Sequence, residues 1–295
     1  MKNSTLTILS LIILFITGLL TGNSTEKFDL KKWEESTQKQ RAEKDDYFKT
    51  SPVSPMAGLL RETIDKKDAI YTFLKGSDIK ISLKEVKNPL LKVYYNGKEW
   101  ISMERSGKET IRKKSAGSFK TDRFTFKYYL SDDSFILVIF DPERKMIKDF
   151  KHLLYYAPDH KFKVKAKLEK FKEIKKRTVK TSRDLEKTLI EYGKLRFTID
   201  GKEMTLLAFK FTTDKNHPNY KYLFLPFFDK TNLIDTYEAG RFLEIIEKEG
   251  ENQVIDFNEC YNPLCNYATV YNCTLPPFEN ELDIEIKAGE KTYPH

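Results

Sequence analysis

Apolar residues recur along this chain in short runs, broken by Gly, Asn, Asp and Pro at intervals too close for helices of ordinary length. Between 69 and 140 the runs are Ile70 to Leu74, Ile79 to Leu83, Leu91 to Tyr95, Trp100 to Met103, Phe124 to Leu130 and Phe135 to Phe140. Asn96-Gly97 lies between two of them, and both residues tolerate positive φ, so a tight hairpin is expected there. A second series follows: Phe162 to Leu168, Leu195 to Ile199, Met204 to Phe211, Tyr220 to Phe228, Arg241 to Ile246, Val254 to Asn258 and Leu282 to Ile286. Asp200-Gly201 marks another hairpin. The run Thr181 to Tyr192 fits a helical turn pattern, yet Gly193 and the extended neighbours favour a strand. This pattern predicts a mainly β protein, a sandwich or barrel-like fold with room for two β modules in tandem.

One segment departs from the pattern. Phe28 to Phe48 is charged, lacks Gly and Pro, and carries sparse apolar anchors at Phe28, Leu30, Trp33, Tyr47 and Phe48. It predicts an N-terminal surface helix, stopped by Ser51-Pro-Val-Ser-Pro because each proline disfavours the helical region for its predecessor. Upstream, Lys2 precedes an apolar run from Leu6 to Leu20, the layout of a secretory signal. The run is shorter than the roughly 20 residues of a comfortable span. Cleavage after Ser24 is expected, or, if uncleaved, an N-terminal anchor that keeps the protein near a membrane. The chain therefore divides into residues 1–24 (signal or anchor), 25–55 (helix and proline-containing linker), 56–150 (first β region) and 151–295 (second β region). The expected location is exported: periplasmic, secreted or anchored at the cell envelope.

The net charge of +8 changes this picture little. Only ten of the 52 basic residues are arginine, whereas phosphate recognition favours the guanidinium fork. Nucleic acid is not an expected partner. In the densest run, Lys161, Lys163, Lys165 and Lys167 alternate with Phe162, Val164, Ala166 and Leu168. Period two gives a strand with its lysines on one face, readable as a patch for an anionic partner or as a solvated sheet face guarded against aggregation.

Familiar catalytic signatures are missing. The sequence has no G-x-S-x-G, H-E-x-x-H, G-x-x-x-x-G-K or G-x-G-x-x-G. It gives no cofactor, and with four scattered histidines and no tight C-x-x-C pair it gives no metal site. In an oxidising compartment Cys265 and Cys273 are expected to form a disulfide, leaving Cys260 odd; a catalytic cysteine is the competing reading.

The chemistry is concentrated in the last fifty residues. A strand over Val254 to Asn258 puts Asp256 and Asn258 on one face, with Cys260 continuing it, and Asn262-Pro263 then turns the chain. Pro276-Pro277 stiffens the approach to Glu279 and Asn280. Arg241 follows Gly240, with Asp229, Asp256 or Glu279 as candidate partners for a forked ion pair.

The segments PFFDKTNLIDTYEAGRFL, DFNECYNPLCNY, Cys273-x-Leu-Pro-Pro-x-Glu-Asn and IKAGEK together resemble the family catalogued as domain of unknown function 1684. The resemblance implies a β-rich, often exported protein of no assigned activity. Carried onto this chain, the family-typical positions include Asp229, Thr236, Tyr237, Arg241, Asp256, Asn258, Tyr261, Asn262, Cys265, Cys273, Glu279, Asn280 and Glu290. Cys260 stands where the family usually has a small residue.

Three functions stay open at this level. A polar pocket around Arg241, Asp256 and Asn258, with Asp229, Thr236, Tyr237, Tyr261, Asn262, Glu279 and Asn280, could bind a small anionic or carbohydrate ligand. The same pocket could serve a hydrolase or isomerase using Asp256, Glu279 or Glu290 as acid and base. Alternatively, the cluster is purely structural.

Overall fold

The computed structural model describes residues 28–130, 134–184 and 186–294. The expected signal segment 1–24 lies outside them. The described residues are mainly β, with one long helix among them, α1 (Leu30–Thr50). The described chain separates into two compact units, one of residues 48–150 and one of residues 28–47 with 151–294.

The first unit carries β1 (Gly58–Asp65), β2 (Ala69–Lys75), β3 (Asp78–Ser82), β4 (Leu91–Tyr95), β5 (Trp100–Glu104), β6 (Glu109–Arg112), β7 (Ala116–Thr121), β8 (Phe124–Leu130), β9 (Ser134–Phe140) and the short helix α2 (Lys145–Asp149). They form a four-stranded sheet in the order β1-β9-β8-β7 and a five-stranded sheet in the order β3-β2-β4-β5-β6. Ile70, Val93 and Trp100 from one sheet share a core with Phe126, Phe135 and Leu137 from the other, which makes this unit a sandwich. The Asn96-Gly97 hairpin joins β4 to β5 as the dipeptide predicts, with Gly97 at φ 94°. Three of the strands were not legible in the apolar pattern. β6 and β7 bury no residue fully, and β1 breaks its own alternation.

The second unit contains β10 (Lys163–Lys180), β11 (Glu186–Ile199), β12 (Lys202–Lys210), β13 (Tyr222–Asp229), β14 (Arg241–Ile246), β15 (Asn252–Asp256) and β16 (Glu281–Leu282). The sheet order is β14-β13-β12-β11-β10-β15, with β16 added parallel to β13. Its interior is apolar, built by Ala166, Leu168, Leu195, Phe197, Leu206, Leu225, Phe227, Leu243 and Ile255. The segment expected as Thr181 to Tyr192 is extended from Glu186 onward, and Asp200-Gly201 turns β11 into β12 with both residues at positive φ.

Two expected strands are corrected. Leu282 to Ile286 is not a strand beyond Leu282, because the chain leaves β13 there and its backbone turns to other partners. Val254 to Asn258 is extended only to Asp256, and a 3-10 turn, Phe257–Glu259, follows. The Asp256 carboxylate caps that turn by accepting the Asn258 amide, so a capping acid ends the strand.

The sheet of the second unit is nearly closed into a barrel, and the chain itself bridges its two edges. β15 pairs with β10 at one edge. After the 3-10 turn, Tyr261 exchanges both backbone hydrogen bonds with Phe242 of β14 at the other, at 2.8 and 2.9 Å. Closure leaves few unpaired edge groups.

Candidate functional site

Most of the residues singled out from the sequence fall into four polar networks, which tie the C-terminal segment and α1 to the barrel. The first surrounds Arg241, at the start of β14. Its guanidinium is wholly buried, and Nη2 meets Asp229 Oδ1 at 2.9 Å. Nη1 donates to the carbonyl of Ala288 at 2.5 Å, and Nη2 also donates to that of Ile286 at 2.8 Å. Asp229 in turn accepts the Ile286 amide and the Thr231 hydroxyl, and Thr231 touches Thr236. Among the three partners offered by the sequence, Asp229 is the one the fold selects. Gly240, just before Arg241, has φ 83°, and a Cβ there would lie 2.7 Å from the Phe227 carbonyl, so only glycine lets the chain pass so close.

The second network centres on Asp256, whose carboxylate accepts from Trp33 Nε1 at 2.9 Å, Lys163 Nζ at 2.8 Å and Asn258 Nδ2 at 2.9 Å. Asn258 also exchanges bonds with both backbone groups of Asp159. Trp33 stands on α1, so this carboxylate pins the helix to the β10–β15 edge. No sequence signal linked Trp33 to Asp256, which are 223 positions apart.

Glu290 forms the third network. It is buried and accepts from Lys44 of α1, the Tyr267 hydroxyl and the Asn262 amide. Close by, Arg41 of α1 donates to the Tyr156 carbonyl and lies over the Tyr155 ring. Tyr261 sends its hydroxyl to Glu244, whose carboxyl is pushed above its usual range by burial.

The fourth network repairs the sheet. β12 and β13 share one registered pair, Phe209 with Phe224, and Pro226 has no N–H to continue the ladder. The side chain of Asn280 replaces it. Its Oδ1 accepts the Leu207 amide at 2.6 Å, and its Nδ2 donates to the carbonyls of Leu207 and Pro226 at 3.0 and 2.8 Å. Glu279, one residue earlier, points outward and takes both oxygens to Arg177; a hydrogen bond from its own backbone amide, and after it the Arg177 guanidinium, hold its carboxyl below the ordinary range.

Asp256, Glu279 and Glu290 thus sit in three separate networks with no shared partner, and the structure does not gather them around one ligand position. Tyr237 and Thr236 belong to the loop after β13, where Asn232 donates to the Tyr237 carbonyl. The three cysteines are free thiols, and the expected Cys265–Cys273 disulfide is not formed. The two residues are nevertheless neighbours, with the Cys265 amide donating to Cys273 Sγ at 3.2 Å. Cys260 is buried against the Ala288 carbonyl and its thiol is pushed up to about 11 by burial. Among the described residues no group of three or more His, Cys, Asp or Glu is placed to hold a metal ion.

An open concavity lies elsewhere, on the outer face of β10, β11, β12 and β15, with a volume of about 760 Å³. Sheet register aligns Asn252, Lys167, Arg196 and Thr205 in one row across four strands. Lys165, Thr198 and Glu203 add to the lining. The cations are lightly held: Lys167 pairs with Glu251 and Arg196 with Glu169, all exposed. The alternating lysines were visible in the sequence; the arginine and threonines opposite them become neighbours only through the register.

A family model described as "Protein of unknown function (DUF1684)" matches residues 148–291. An uncharacterised protein of Haloarcula marismortui, solved by NMR in solution, is 32% identical over 49% of this chain and 78% of its own, with a TM-score of 0.42. No curated protein matches.

Proposed function

Because the chain belongs to the DUF1684 family, whose model matches residues 148–291 and is described as of unknown function, we propose a function from the geometry of this chain: an exported, non-catalytic module that binds an anionic carbohydrate. The buried polar networks hold the barrel shut, and the outer groove takes the ligand. The observation that carries this reading is the row Asn252, Lys167, Arg196 and Thr205, which sets two cations between an amide and a hydroxyl along one open surface. Such a row suits a uronic-acid saccharide, whose carboxylates alternate with hydroxyls. Exposed ion pairs like Lys167 with Glu251 are worth about 0 to 1 kcal/mol, so an incoming carboxylate exchanges with them at little cost.

Export is supported by the layout of Lys2 and the apolar run Leu6 to Leu20. Mass measurement of the protein recovered outside the cytoplasm should give a chain beginning after Ser24, or an intact N-terminus in the membrane fraction if the run is an anchor. Recovery only from the cytoplasm refutes export. For the ligand, thermal unfolding in the presence of an oligogalacturonate should shift to higher temperature. Added salt should weaken the shift. The charge-reversed variant Lys167→Glu/Arg196→Glu should abolish it, and equal shifts in that variant and the parent would refute the groove.

A further inference from the structure

We propose that Cys265 and Cys273 form a dithiol that exchanges with external disulfides, Cys265 attacking and Cys273 resolving. This is independent of the groove. The pair is held from both sides. Cys273 lies on an extended segment whose backbone pairs with 180–182: Ser182 N donates to the Cys273 carbonyl at 2.8 Å, Leu275 N donates to the Lys180 carbonyl at 2.9 Å, and the Cys273 amide donates to Ser182 Oγ at 3.1 Å. Cys265 stands on the 3-10 turn Leu264–Asn266, with its amide on Cys273 Sγ.

The two thiols differ in the way exchange requires. Cys265 is half-buried, with the neighbouring Cys273 thiol, and after it the Tyr237 hydroxyl and Ser182, favouring its thiolate against the opposing effect of burial. These donors outweigh its burial and bring it down to about 7. Cys273 is buried, and sharing its proton with Cys265 pushes it well above the usual thiol value. The thiolate is the nucleophile, so the more open, donor-surrounded sulfur attacks first. Cys260, sealed in the core, stays inert.

In the first step Cys265 thiolate attacks one sulfur of an incoming disulfide and forms a mixed disulfide, while the other half leaves as a thiolate and takes up a proton. Cys273 then gives up its proton and attacks Cys265 Sγ. The second half of the reagent leaves as a thiol. Two protein thiols become one disulfide, and one external disulfide becomes two thiols. The oxidant is a low-molecular-weight disulfide or a protein disulfide of the export compartment.

Oxidised glutathione is the probe, applied to the reduced, folded protein with free thiols counted by mass spectrometry. The wild type should lose two thiols and retain Cys260, whereas Cys273→Ser should stop at a glutathione adduct on Cys265 and Cys265→Ser should form no adduct. Native-state alkylation by iodoacetamide at pH 7 needs no variant: Cys265 should react on the order of a hundredfold faster than Cys260, from its larger thiolate fraction and its exposure. Tyr237→Phe should move the pH profile of Cys265 alkylation upward. Equal, slow alkylation of Cys265 and Cys260, or an adduct on Cys273 in Cys265→Ser, would overturn the assignment.

Discussion

Arg241 Nη2 and Asp229 Oδ1 lie 2.9 Å apart with both side chains wholly shielded from solvent. This pair does more than neutralise two charges, since Arg241 also holds the carbonyls of Ile286 and Ala288 and Asp229 holds the Ile286 amide. Removing one partner leaves a buried charge without compensation. Arg241→Ala should therefore cost about 3 to 5 kcal/mol in urea unfolding, and an apolar double replacement, Arg241→Met with Asp229→Leu, should cost less than either single change. A loss below about 1 kcal/mol in Arg241→Ala is the result that the structural role cannot accommodate.

Asn280 offers a cleaner test, because its side chain carries no charge. Asn280→Ala leaves the Leu207 amide and two carbonyls facing an apolar interior, at about 1 to 3 kcal/mol for a group left unpaired. Amide exchange should rise first at Leu207. If exchange there is unchanged, the repair of the β12–β13 gap is not made by Asn280.

Asp256 joins helix to barrel through Trp33. Asp256→Ala should release the N-terminal part of α1 while the sheet stays folded. The chain has two tryptophans, so in a Trp100→Phe background the emission of Trp33 should move to the red and cleavage within 30–47 should quicken. Unaltered emission argues that apolar packing alone secures the helix.

Glu244 gives a pH dependence. Burial raises its carboxyl in the folded protein, against a smaller opposing effect of the Tyr261 hydroxyl. A folded pKa above the unfolded one makes the contribution complete below the unfolded value, about 4.3, and lost as pH rises through the folded value. The stability of the wild type relative to Glu244→Gln should fall with rising pH above about 4. An opposite slope would mean that the carboxyl is held ionised.

Much of the fold was legible because local rules and tertiary context agreed. Asn96-Gly97 and Asp200-Gly201 turn where their dipeptides say, and the lysines of β10 face outward while Ala166 and Leu168 face in. β6 and β7 were silent, since their pairing uses backbone bonds and leaves no apolar run. The C-terminal half of β10, from Glu169 to Lys180, was hidden for the same reason: it is charged and exposed, yet pairs with β11.

The polar cluster was harder to read. Sequence placed Asp256 and Asn258 on one strand face and left Arg241 three possible partners. Periodicity could not say that the strand ends at Asp256, because the side chain that caps the turn competes with the ladder only in the folded geometry. Nor could it show that Trp33, Arg41 and Lys44, one helical face at intervals of eight and three, would meet Asp256, Tyr156 and Glu290. Those pairings depend on long-range contacts.

The bridge between Tyr261 and Phe242 sets an order of events during synthesis. A nascent chain that has reached Ile246 has made β14, yet the side chain of Arg241 has neither the Ile286 nor the Ala288 carbonyl to receive it. The β14 edge therefore waits for Tyr261, and the buried guanidinium waits longer, until Ile286 and Ala288 have left the ribosome. Closure of this barrel waits on the segment around Ile286 and Ala288, which must arrive before the Arg241 guanidinium can be sealed.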